Sequence, residues 1–133
     1  MSTPSKTEQY VCERLLEDLV QGERGVDVAL VATVDGLHIA SAARGESAVD
    51  PARLAAMASS LLALSARLAA DAALGASRSV SIDTESGRVL LMAIPSPTRP
   101  RVLLTLSSAS ATLGALIVAT RQCAEAIASR VAG

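Results

Sequence analysis

The chain has 133 residues, half of them apolar, with 12 Lys and Arg against 13 Asp and Glu for a formal net charge of −1. That length suits one domain with a sizeable core, and the apolar content excludes disorder over most of it. Balanced charge and a single aromatic residue, Tyr10, exclude a nucleic-acid binder, which needs a basic stripe for phosphates and rings for base stacking.

With no Phe or Trp, the core must come from Leu, Val, Ile and Ala. Alanine buries little area, so such a core asks for close approach of its elements or for a second chain. Residues 1–5 read as a flexible polar leader, and Met1–Lys6 lacks the pattern of a signal peptide. Ser5-Lys6-Thr7-Glu8 has capping-box spacing. Val11, Cys12, Leu15, Leu16 and Leu19 then recur at helical spacing, with Glu13, Arg14 and Glu17 opposite, so a one-sided helix is predicted up to Gly22.

Val26–Val34 and Leu37–Ala42 are rich in strand formers and flank Asp35-Gly36, a pair suited to a type I′ turn with φ > 0 at both central positions. The first of these strands is apolar on both faces, as expected of a central strand between two layers. Asp50-Pro51 starts a helix, Asp as N-cap and Pro at the first helical position, and the pattern runs to Leu74 before Gly75. Ser77–Asp83 reads as a third strand, Thr84–Gly87 as a turn and Arg88–Ile94 as a fourth strand. Pro95, Pro97 and Pro100 mark a loop, Arg101–Leu106 a fifth strand and Ala109–Val131 a last helix. The order α-β-β-α-β-β-β-α predicts a three-layer α/β arrangement on a largely antiparallel sheet, one domain over residues 1–133.

Val102–Thr120 is an uncharged run of membrane-spanning length, but its centre is rich in Ser and Thr and breaks between two elements. A soluble cytoplasmic protein is expected, with no membrane insertion. Cys12 and Cys123 read as buried free thiols in a reducing compartment, a disulfide between first and last helices being the alternative.

The middle helix carries too much apolar surface. Leu54, Met57, Leu61, Leu64 and Leu68 make one stripe, and Ala55, Ala58, Leu62, Ala66 and Ala69 a second. Arg53, Ser60, Arg67 and Asp71 share the remaining polar wedge, with Ser59 at its edge. About two-thirds of the circumference is apolar, more than one sheet covers. Its own sheet takes one stripe, and the small-residue side invites a second helix, most simply the same helix of another subunit. The alternative is a helix buried wholly within the monomer.

No phosphate-binding loop, dinucleotide fingerprint, nucleophile elbow, H-E-x-x-H or C-x-x-C occurs. His38 is the only histidine and reads as a surface residue; with two cysteines it cannot complete a four-ligand zinc site. Asp35 is explained by its turn, Asp50 by its cap, and Asp83 and Glu85 flank the second turn. The serines lack a base in any recognisable pattern, so no catalytic residue, metal or cofactor is expected.

"GVDVALVATVDGLHIASA", the helix "PARLAAMASSLLALSARLA", "SVSIDTESGRVLLMAI" and "VLLTLSSASATLGALIVATRQCAEAI" together resemble the Roadblock/LC7 family over about Leu15–Arg130. The specific part is the element order, the D-G hairpin, the small-residue helix and the Leu113-Gly114 opening of the last helix. The resemblance implies a profilin-like five-stranded antiparallel sheet in order 2-1-5-4-3, the middle helix on one face and the terminal helices on the other. It implies homodimers that pair middle helices and third strands. Bacterial relatives regulate small Ras-like GTPases, and eukaryotic ones are dynein light chains and scaffold subunits. The expected function is a homodimeric adaptor that binds a small Ras-like GTPase and modulates its nucleotide state; a scaffold without effect on nucleotide chemistry is the alternative. The interface expected from helix and strand is Arg53, Leu54, Met57, Ala58, Ser60, Leu61, Leu62, Leu64, Arg67, Val80 and Ile82. The missing aromatics and the proline-rich loop depart from many relatives, and no arginine is singled out as a finger.

Overall fold

The computed structural model describes residues 3–22, 25–96 and 100–131. Met1 and Ser2 of the expected leader, and Pro97 of the proline loop, lie outside them. The elements are α1 (Lys6–Gln21), β1 (Val26–Thr33), β2 (His38–Ala43), α2 (Pro51–Asp71), β3 (Ser79–Asp83), β4 (Gly87–Ile94), β5 (Arg101–Ser108) and α3 (Leu113–Val131). The sheet runs β2-β1-β5-β4-β3 with every neighbouring pair antiparallel. The order and topology are those the sequence implied.

Two cores lie on opposite faces of this sheet. Cys12, Leu16 and Val20, spaced four apart on α1, pack with Leu116, Cys123, Ala124 and Ile127 of α3 over Ala29, Val31, Leu90 and Leu103. On the other face Ala55 and Ala58 of α2 pack over Leu30, Ala32, Leu91, Val102 and Leu104. Strand β1 thus feeds alternate residues to both cores, the reason for its unbroken apolar pattern. Cys12 and Cys123 are free and buried.

The first hairpin departs from expectation. Gly36 donates its N–H to the Thr33 carbonyl (3.1 Å) and Thr33 N–H donates to the Leu37 carbonyl (2.9 Å). Gly36 alone has positive φ, +97°, so Val34 and Asp35 form a right-handed turn with a left-handed glycine after it, rather than type I′. Thr33 decides this: its Oγ1 donates to Asp35 Oδ1 and accepts from Leu37 N–H. That bond holds the Asp35 carboxyl below its ordinary value.

Several boundaries also move. Helix α2 ends at Asp71 rather than Leu74, because the chain turns over in a Schellman motif. Ala73 N–H bonds the Ala70 carbonyl and Leu74 N–H the Ala69 carbonyl, with Ala73 itself at φ +57°. Helix α3 begins at Leu113 rather than Ala109, since Ser108 and Ala111 close a turn and Thr112 Oγ1 caps Ala115 N–H. The capping box of α1 has its Ser5 half, Oγ accepting from Glu8 N–H at 3.0 Å. The Glu8 carboxylate is instead gripped by Arg101 from β5 through two bonds of 2.8 and 3.0 Å, both side chains 3% exposed or less. At the other end of α1, Arg44 donates to the Val20 and Gly22 carbonyls from just beyond β2, satisfying acceptors that the helix cannot pair.

A candidate interaction face on the middle helix

Helix α2 is set by its ends. Asp50 Oδ1 accepts from Ala52 N–H (3.1 Å), and Pro51 occupies the first turn, where its missing donor costs nothing. Of its 21 residues only Ala55, Ala58 and Ser59 are buried, and Ser59 satisfies its hydroxyl on the Ala55 carbonyl (2.6 Å). The stripes divide differently from expectation: Ala55 and Ala58 face the protomer's own sheet, with Leu54, Leu61 and Leu62 packed partly against it, while Met57, Leu64 and Leu68 face out. Alanines at the contact let the helix axis approach the sheet closely.

Met57, Leu64 and Leu68 are 53%, 64% and 69% exposed, and Leu74 just past the helix is 80% exposed. Leu54 and Leu61 are half-buried. With Met57 they form one wall of an apolar groove of about 120 Å³, whose other wall is Ile82 of β3, Val89 of β4 and Leu106 of β5. Strand β3 is the last in the sheet, so its outer edge is unpaired, and it is short. Val80 is half-buried on the α2 side and Ile82 is 36% exposed there.

The expected interface residues therefore divide. Leu54, Met57, Leu61 and Ile82 meet in the groove, and Leu64 stands on the open surface. Arg53, Ser60 and Arg67 are exposed around it, Ser60 Oγ donating to the Ala56 carbonyl (3.1 Å). Leu62 is half-buried toward the sheet, as is Val80. Ala58, 2% exposed, packs in the core under the helix and also lines the groove. By length and mean hydropathy (1.3) α2 also has the makings of a membrane span, but Arg53 and Arg67 interrupt it, and Ala55 and Ala58 seat it on the sheet.

Among the described residues no group of three or more His, Cys, Asp or Glu converges on a common point. His38 is exposed on the edge strand, its Nε2 3.1 Å from Ser41 Oγ. Burial pushes the Cys12 thiol up to about 12 and the Cys123 thiol to about 11, which makes both poor nucleophiles.

Residues 13–99 match the Roadblock/LC7 domain family. Among solved structures, the chain is similar to Myxococcus xanthus MglB (TM-score 0.81, 14% identity, covering 97% of this chain and 92% of that one). It is similar to an MglB described with a tetrameric arrangement (TM-score 0.84, 18% identity, 96% and 93%). A Roadblock/LC7 domain from Streptomyces avermitilis also aligns (TM-score 0.77, 20% identity, 90% and 96%). At these identities the likeness is one of fold. No curated protein sequence matches the chain.

Proposed function

Because this chain belongs to the Roadblock/LC7 domain family, we propose that it is a non-enzymatic cytoplasmic adaptor, homodimeric through α2 and β3, that regulates a small Ras-like GTPase by contact. The observation that carries the dimer is the outward stripe of Met57, Leu64 and Leu68, continuous with the apolar groove and the unpaired edge of β3. Contiguous exposed apolar side chains of this kind support an association site. A two-fold axis would lay the stripe of one copy on that of the other and let two β3 edges meet, so one surface serves both subunits.

Regulation by contact agrees with a chain that has no nucleotide-binding loop of its own. Such a regulator positions the GTPase's own machinery or contributes an arginine. Light scattering should give about twice the 13.5 kDa chain mass, and a clean monomer at micromolar concentration would remove the dimer. In a pull-down with co-expressed GTPase, binding should differ between GDP and GTP-analogue forms, and hydrolysis or exchange should change. Equal binding with unchanged rates would leave only the gathering role of a scaffold.

A further inference from the structure

The chain's one aromatic residue is not on the α2 face. Tyr10 stands 62% exposed on α1, across the sheet. Beside it lies a surface depression of about 250 Å³, lined by Tyr10, Val11, Arg14, Leu15, Asp18 and Arg130. Tyr10 and Arg14 are one turn apart and share a helix face, while Arg130 reaches in from the last turn of α3. Arg14 and Arg130 are both exposed, and neither makes an ion pair among the described residues. Asp18 is the single carboxylate in the lining; Glu13 and Glu17 of the same helix lie outside it.

Tyr and Arg are the side chains on which binding energy concentrates at protein interfaces. A planar guanidinium receives a carboxylate through two parallel hydrogen bonds, and here two guanidinium groups outnumber the one acid. Val11 and Leu15 add an apolar floor that a free anion would not use. We propose that this depression is a docking surface, separate from the α2 face, for an acidic segment of a partner protein. Carboxylates of the segment sit on Arg14 and Arg130, and an apolar side chain lies against Tyr10, Val11 and Leu15.

Since Tyr10 is the only aromatic residue, the protein's intrinsic tyrosine emission reports on this depression alone. The test titrates the whole protein with the peptide acetyl-Glu-Leu-Glu-Glu-amide at low salt, with the Lys-for-Glu peptide as control. A saturable change in emission with the acidic peptide only is expected, its midpoint about tenfold weaker in Arg14→Gln or Arg130→Gln. Both arginines are exposed, so the variants should keep the parent's far-UV spectrum and mass. Linear quenching equal to that of N-acetyltyrosinamide, or a curve unchanged in the double variant, would overturn the proposal. So would a halved mass in Tyr10→Ala, which would give this face to a second copy. Leu64→Glu should leave the titration untouched, keeping this result separate from that of the α2 dimer.

Discussion

Glu8 shows how tertiary contact overrides a local pattern. Its spacing from Ser5 marks it as a cap, yet its carboxylate closes on Arg101, 93 residues away. Removing the Glu8 charge takes from the buried Arg101 guanidinium the anion that offsets its own, so Glu8→Gln should cost about 3–5 kcal/mol in urea unfolding, and the paired change Glu8→Leu with Arg101→Met should recover most of it. Ala73 is the opposite case, a residue held where its side chain is unwelcome, at φ +57°. Relief of that strain is partly offset by the freer unfolded chain, so Ala73→Gly should stabilise by about 0.5–1 kcal/mol, read as a higher urea midpoint. The two thiols carry a pH signature. Burial raises them from an ordinary 9.0 to about 12 at Cys12 and about 11 at Cys123. Above pH 9.0 the unfolded chain releases protons that the folded one keeps, so their contribution is full below that pH and is lost as pH rises toward 11 and 12. Unfolding followed against pH should show this fall, and Cys12→Ala with Cys123→Ala should flatten it.

At the scale of elements, α2 and the β4–β5 pair do different work. Gly87 opens β4 where a Cβ would come within 2.0 Å of the Ser107 carbonyl oxygen on β5. Backbone cannot yield there as a flexible side chain would, so Gly87→Ala should destabilise by about 1–3 kcal/mol in the same urea assay. On α2, a charge placed at Leu64 meets solvent in the monomer but a second apolar stripe in a dimer. Leu64→Glu should therefore halve the mass in light scattering while leaving far-UV circular dichroism intact. Leu61 is less informative, because its half-burial in the groove mixes folding with association. The sequence showed that α2 had two apolar stripes. It did not show which faced the sheet, since helical periodicity is silent on how near the axis comes to its neighbour.

For the molecule as a whole, element order, the strand count and the two-sided β1 were legible because each follows from spacing within about ten residues. Turn chemistry was legible only in part: Asp35-Gly36 marked the hairpin, while the Thr33 side chain selected its type. The ends of α2 and α3 shifted because the Schellman turn and the Thr112 cap compete with helical propensity. What the sequence by itself determined is which segments are helix or strand and which of their faces are apolar, because both are local properties of side-chain pattern. Only the tertiary structure decided which apolar face stays open, that Ala58 belongs to the core, and that Tyr10 and Arg14 meet Arg130 in one depression. Those outcomes depend on how closely elements pack and which distant residues they bring together, and no periodicity along the chain encodes that distance.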